Sequence, residues 1–288
     1  MVAPLHFIRM HGCGNDYVFV DCFSQSPPTH PQALAQRLSD RRRSAGGDGV
    51  VLMLPPEQPL HHGRMRMFNA DGSEGSLCGN ALRCMALWLH HSGHSPPNMR
   101  IEMGGRIIQA EVLEQDSDAR LRGCVRITLT GPRVLRPECD CPASFVRWIE
   151  IPDVHVPGLL MPPLQADPGN PHLVLFVRSL AAVPVESLGP LLEHHSAFPD
   201  RTNVEFTEVL KPNLAQVRVW ERGSGETQAC GSGACAVAIA GAAVELFDRT
   251  QNIEIRMPGG PLSVLLQPDG PLLLTGPAEE CCRGTIIL

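Results

Sequence analysis

The sequence predicts an α/β protein of the α+β kind, built as two pseudo-symmetric domains that each curl a β-sheet or barrel around one central apolar helix. Three observations carry this expectation. Glycine and proline number 27 each in 288 residues, which suits tight turns between short strands and not a helical bundle. A strand, a thiol and a helix occur in that order twice, with Cys78 and Cys230 standing 152 residues apart. The helical stretch after each thiol is apolar on nearly every side, so protein must surround it.

The elements repeat in order. Gly14-Asn15-Asp16-Tyr17-Val18-Phe19-Val20 reads as a Gly-Asn turn opening a buried strand, and Gly169-Asn170-Pro171-His172 through Val177 repeats it 155 residues later. Asp48-Gly49-Val50 and Thr202-Asn203-Val204 fall near the same offset, more weakly. Met65-Arg66-Met67-Phe68-Asn69 and Val217-Arg218-Val219-Trp220-Glu221 both run apolar, Arg, apolar, aromatic, polar, the period-two pattern of a strand with one buried face. Asn69 precedes Cys78 by nine residues, as Glu221 precedes Cys230. Ala81 to Leu89 and Ala234 to Val244 form the two helical stretches.

Four matches in one order at nearly one spacing divide the chain into halves of 1–131 and 132–275. The Gly131-Pro132 turn is the expected boundary, with Pro137 to Pro142 as a loop beyond it. The 276–288 tail, ending in the strand-like Thr285-Ile286-Ile287-Leu288, is expected to return to the first half.

Charged residues make up 19% of the chain, with a formal net charge of −6 and no block of like charge. That balance argues against nucleic acid and fits a small polar or zwitterionic ligand. No stretch reaches about 18 consecutive apolar residues, so no membrane span is expected. The opening MVAPLHFIRMHG has no charged region followed by a long apolar one, so a cytoplasmic setting is expected. Eleven cysteines is an odd count, and a chain of this size folds without staples, so reduced thiols are expected. No metal is expected, because there is no CxxC pair and neither Cys139 with Cys141 nor Cys281 with Cys282 has ligand spacing. No cofactor is expected either. Gly223-Ser224-Gly225 lacks the Walker lysine, and Gly46-Gly47-Asp48-Gly49 lacks the dinucleotide pattern.

A cysteine just before Gly79-Asn80 or Gly231-Ser232 stands at a helix start, where N–H groups lack partners and the dipole is positive. Those N–H groups can hold a carboxylate, and a cysteine there can have its pKa lowered toward neutrality. Asn80 and Ser232 are capping types, while Gly79 and Gly231 let a ligand approach the backbone. Taken alone, a cysteine reads as a small buried hydrophobe, and that reading stands for Cys13, Cys22, Cys84, Cys124 and Cys235. Taken together, Cys78 and Cys230 fit a redox disulfide, or an acid and a base on opposite faces of one carbon. The second use suits a racemase or epimerase, and a thiol with a pKa near operating pH serves in either role.

These motifs resemble the diaminopimelate epimerase family. The resemblance rests on His11-Gly12-Cys13-Gly14-Asn15-Asp16, Gly46 to Gly49, Phe68-Asn69-Ala70-Asp71-Gly72-Ser73-Glu74, Cys78-Gly79-Asn80, Gly169-Asn170-Pro171-His172 and the long run from Glu221 to Gly233. It implies a cofactor-independent isomerase of lysine and peptidoglycan-precursor biosynthesis that interconverts LL- and meso-diaminopimelate. The family pattern makes Cys78 and Cys230 the acid–base pair and His172 and Glu221 the groups that tune them. It gives Gly79-Asn80 and Gly231-Ser232 the grip on the reacting carboxylate, and makes Asn15, Asn69, Asn170, Asn203 and Arg222, with Glu221, the substrate-binding set. Arg222 offers a fork suited to a distal carboxylate.

The chain departs from the family in three places. Asn80-Ala81-Leu82-Arg83 replaces the frequent Asn-Gly-Ala-Arg, and Cys13 stands where Leu or Ala is usual. Glu279-Glu280-Cys281-Cys282 replaces a segment that in some relatives carries a tyrosine at the dimer contact, so the family's homodimer is less firmly implied. Two rival readings remain. A proline or hydroxyproline racemase on the same scaffold typically has His where this chain has Asn80, and a thiol redox sensor would use a Cys78 to Cys230 disulfide.

Overall fold

The computed structural model describes residues 4–75, 77–116, 120–129, 146–267 and 271–287. The expected Gly131-Pro132 boundary, the Pro137 to Pro142 loop, Cys139 and Cys141 lie outside the described residues. Backbone contacts divide the chain into two compact units, Met1–Thr128 with Thr275–Leu288, and Leu129–Leu274.

The first unit runs β1 (Leu5–Gly12), β2 (Asn15–Asp21), α1 (Pro31–Leu38), β3 (Gly49–Leu54), β4 (Gly63–Asn69), β5 (Glu74–Gly75), α2 (Gly79–His91), β6 (Asn98–Met103), β7 (Arg106–Gln115) and β8 (Arg122–Leu129). β1 pairs antiparallel with β2, β2 parallel with β3, β3 antiparallel with β4, and β4 parallel with β6. β6, β7 and β8 follow as an antiparallel run, and the C-terminal strand Leu272–Ile286 pairs with both β8 and β1. Eight strands thereby close into a barrel without an open edge.

α2 fills the barrel, with every residue from Asn80 to Leu89 buried. Its leucines Leu82, Leu87 and Leu89 are wholly enclosed, each contributing about 1.5–3 kcal/mol relative to exposure. All six residues of β3 are buried, because α2 covers one face and α1 the other. Leu34, Ala35 and Leu38 of α1 pack on Val18, Val20, Val50, Leu52 and Phe68. β4 alternates instead, burying Met65 and Met67 while Arg64 and Arg66 stay half-exposed.

The second unit runs β9 (Val146–Trp148), β10 (Leu164–Ala166), β11 (His172–Phe176), α3 (Val185–Glu193), β12 (Asn203–Lys211), β13 (Leu214–Glu221), β14 (Gly225–Thr227), α4 (Gly231–Ala243), β15 (Ile253–Met257) and β16 (Gly260–Leu266). β9 and β10 lead antiparallel into β11. From there the pairing is parallel to β12, antiparallel to β13, parallel to β15 and antiparallel to β16. The order parallel, antiparallel, parallel is that of β2, β3, β4 and β6, and β14 hairpins onto β13 as β5 does onto β4. α4 packs against β10, β11, β12, β15 and β16. It is buried along one alanine-rich run, Ala234 to Gly241. α3 covers the other face of β12 and β13, with Val185, Leu188 and Leu192 over Val204 and Phe206.

Candidate active site

Each unit places one cysteine at the mouth of its central helix. Cys78 is the N-cap of α2 and Cys230 the N-cap of α4, both in extended backbone with φ of −141° and −123°. Asn80 and Ser232 lie inside the first turns, so the thiols occupy the capping positions expected for those two side chains. The sulfur of Cys230 does the capping, accepting from the Gly233 N–H at 3.4 Å.

In the first unit, Cys78 Sγ lies 3.6 Å from Tyr17 Oη and 3.9 Å from Asn15 Oδ1. Asn15 Oδ1 accepts from Asn80 Nδ2 at 3.0 Å, and Asn15 Nδ2 donates to Asp48 Oδ2 at 2.6 Å. Asn80 in turn accepts from Arg83 Nη2 at 2.8 Å. Arg83 is fully buried, its Nε donating to the Pro277 carbonyl at 3.3 Å. Asp48 is tied through Arg41 to Asp16, which also takes Arg9. Burial alone would raise the Asp16 pKa, but hydrogen bonds from Arg41 and Arg9 outweigh it and hold the carboxyl below its ordinary range. Asn69 ends β4 and donates to Ser73 Oγ at 2.9 Å, in the turn before β5.

In the second unit, Cys230 Sγ is 3.4 Å from Ser232 Oγ, and its backbone N–H meets Met257 Sδ at 3.3 Å. Glu221 accepts from Thr227 Oγ1 at 2.5 Å and also bonds the Cys230 thiol. His172, fully buried, sits with Nδ1 2.7 Å from Glu205 Oε1 and Nε2 3.1 Å from Asn170 Oδ1. Asn203 donates to the Pro171 carbonyl at 2.9 Å and accepts from the Arg222 backbone N–H at 3.0 Å. The exposed Arg222 guanidinium donates to the Asp200 carbonyl at 2.9 Å.

The electrostatics of Cys230 reverse the expectation of a lowered thiol. Burial pushes its pKa well up, and the carboxylates of Glu221 and Glu205 add to that, while Ser232 and the Gly233 N–H oppose it. The helix end is one donor against a desolvated site with two acids. Glu221 is itself pushed up, chiefly by burial, against lowering contacts from Thr227, Cys230 and His172. Of the cysteines expected to be inert, Cys13, Cys22, Cys84 and Cys235 are buried, while Cys124 is only half-buried. Cys22, Cys84, Cys124, Cys230, Cys281 and Cys282 are free thiols, and no metal cluster occurs among the described residues.

Of the residues singled out in the sequence, the structure sets Cys78 beside Asn15, Asn15 beside Asn80, Cys230 beside Glu221 and Ser232, and His172 beside Asn170. Sequence reasoning missed Tyr17, Asp48, Glu205, Thr227 and Arg83. For Tyr17 a signal existed, because it follows Asn15 by two residues as His172 follows Asn170. Glu205 is visible only as a charge inside the apolar run Val204-Glu205-Phe206.

A family model described as diaminopimelate epimerase matches residues 7–128 and 165–280. A diaminopimelate epimerase of Desulforudis audaxviator is 45% identical over 285 residues, covering 97% of this chain and 98% of its own. One of Pelotomaculum thermopropionicum is 40% identical over 283 residues, covering 97% and 98%. Among solved structures, a phenazine biosynthesis protein of the PhzF family from Bacillus anthracis aligns with a TM-score of 0.72 at 15% identity, over 99% of this chain and all of that one. A hydroxyproline epimerase of Agrobacterium vitis, bound to trans-4-hydroxy-L-proline, aligns with a TM-score of 0.69 at 15% identity, over 100% of this chain and 94% of that one. At that identity the structural likeness is one of fold.

Proposed function

The chain belongs to the diaminopimelate epimerase family, and from that premise we propose that Cys78 and Cys230 are the two acid–base groups with which this isomerase inverts one α-carbon, LL- to meso-diaminopimelate and back. One thiolate removes the α-proton, and the opposite thiol delivers its own proton to the other face of the carbon. The first sulfur ends protonated and the second ionised, so the roles are exchanged in the reverse direction. The observation that carries the reading is the repeated geometry of a cysteine at the N-cap of a buried helix, once in each unit.

The backbone N–H groups that follow each thiol are suited to gripping the α-carboxylate, whose charge grows as the proton leaves. Gly79, Asn80, Gly231 and Ser232 take that role. His172 and Glu221 tune the two thiols, and in the second unit burial and the Glu221 and Glu205 carboxylates push the Cys230 pKa up. Asn15, Asn69, Asn170, Asn203 and Arg222, with Glu221, read the ammonium and carboxylate groups of the small-molecule substrate, Arg222 taking the distal carboxylate by its fork. The Asn15 and Asn80 amides are already tied to each other and to Asp48 and Arg83, a pre-organised arrangement that lowers the cost of binding. No cofactor enters this mechanism. A cytoplasmic homodimer is the assembly the family implies, and among the described residues no helix is long and apolar enough to cross a membrane.

The test is isotopic. In D₂O, LL-diaminopimelate is expected to take up one deuterium at an α-carbon as meso product forms, while proline takes up none. Cys78→Ala and Cys230→Ala are each expected to lower turnover by roughly a thousandfold, within the range for loss of a general acid or base. Retained turnover in both single variants would remove the mechanism.

A further inference from the structure

Glu205 is among none of the residues assigned above, yet it is fully enclosed, at 0% exposed. Burying a carboxylate is unfavourable unless partners hold it. The pleat of β12 turns Val204 and Phe206 into the apolar cluster under α3 and sends Asn203, Glu205 and Thr207 to the opposite face. Parallel pairing sets His172 of β11 against Asn203, and Glu205, one pleat period further on, reaches the ring at Nδ1. On its other side the carboxylate abuts the first turn of α4. A Cβ on Gly233 would lie 2.8 Å from Glu205 Oε1 and 3.2 Å from Cys230 Cβ. Glu205 Oε2 has no hydrogen-bond partner among the described residues, so the group is held through Oε1 alone, and His172 is its one ionisable hydrogen-bond partner there.

We infer that Glu205 is a positioning residue of this site, fixing the His172 ring with its proton on Nδ1 and its Nε2 turned to Asn170, and holding a negative charge beside Cys230. The inference rests on the reading of Cys230 as an acid–base thiol. A carboxylate facing Nδ1 accepts a hydrogen there and so fixes the ring's orientation, with Nε2 toward the Asn170 side-chain amide. Charge held near a sulfur disfavours the thiolate. The groups that face Cys230 are Glu221 from β13, Glu205 from β12 and, on its own helix, Ser232 and the Gly233 N–H, with His172 of β11 acting on Glu221. Glu205 thus touches both the histidine and the helix start that carries the thiol.

Glu205→Gln tests this, because it keeps the shape and an oxygen for the Nδ1 hydrogen while removing the charge. Two measurements need no substrate. One is the rate of iodoacetamide alkylation of Cys230, followed by peptide mass across pH in a Cys78→Ala background. The other is the downfield Nδ1 proton resonance of His172 in ¹⁵N-histidine-labelled protein. The expected result is at least a threefold faster alkylation below the midpoint pH, with the histidine proton moving upfield. Unchanged alkylation with an unchanged histidine resonance in the folded variant overturns the inference.

Should Glu205→Gln fail to fold by circular dichroism, Glu205→Asp keeps the charge but withdraws it by one methylene. There the alkylation rate is expected to hold within twofold while the histidine proton is lost or moved, and a resonance at its original position overturns the inference. Because neither measurement uses diaminopimelate, failure here leaves the epimerase reading standing. Turnover retained by both Cys→Ala variants would sink that reading without touching these two signals.

Discussion

Tyr17 and His172 hold corresponding places, each two residues past the asparagine of a Gly-Asn turn. Tyr17 brings a hydroxyl to 3.6 Å from the Cys78 sulfur. Tyr17→Phe removes that contact and leaves the ring's packing, so kcat/KM is expected to fall roughly two- to tenfold, the worth of one hydrogen bond, with the melting temperature nearly unchanged. An undiminished rate would reduce Tyr17 to a packing residue. Asp16 gives a prediction in pH. Its folded pKa lies below its unfolded value, so its contribution to stability is complete above the unfolded value, near 4, and fades as pH falls toward the lower folded one. Between pH 5 and pH 2, the urea midpoint of the wild type is expected to drop further than that of Asp16→Asn. Equal drops would show that Arg9 and Arg41 add nothing there. The thiols were legible because a Cys-Gly-polar run before an apolar helix is a local pattern. Glu205 and Asp48 were not, since strand pairing brings each to a partner more than thirty residues away. The direction of the Cys230 shift was misread because a reading of the helix start alone shows neither the burial of the thiol nor the Glu205 carboxylate beside it.

At the scale of elements, the two central helices were plain from their all-round apolarity, and they begin two or three residues earlier than that pattern does, at Gly79 and Gly231. The early start follows from the thiols taking the cap. Packing against β10, β11, β12, β15 and β16 makes α4 intolerant of lost volume. Ile239→Ala removes a side chain 1% exposed and is expected to cost about 2–5 kcal/mol. On the strand side, a Cβ at Gly49 would come 2.2 Å from the Phe68 carbonyl oxygen, a backbone atom that cannot step aside without disturbing the β3 to β4 ladder. Gly49→Ala is therefore expected to cost about 1–3 kcal/mol and to lower activity as well, because the neighbouring Asp48 anchors Asn15. Urea midpoints and turnover on the same preparations check both. A Gly49→Ala protein of unchanged midpoint would show that the ladder is slack. The short β5 and β14 hairpins were not foreseen, since two or three residues are too few to show a period.

At the scale of the molecule, the duplicated order of turn, strand, thiol and helix foretold two units of like architecture, and the matching sequence of parallel and antiparallel pairings is its physical basis. Closure of the first barrel was the harder part to read, because nothing local in Thr285-Ile286 points to Leu5 and His6, their actual neighbours. Removing residues 275–288 is expected to open both β1 and β8, so that limited proteolysis cuts within 4–129 while the intact chain resists. Equal resistance would mean that the last strand is ornamental. The same strand sets an order in time. As the ribosome works from the N-terminus at about 5–20 residues per second, the first barrel emerges seven-eighths complete and must wait, with its seam unstitched, until the whole of the second unit has been synthesised. The half that is made first is the half that is finished last, which is where a nascent chain of this protein has most need of a chaperone.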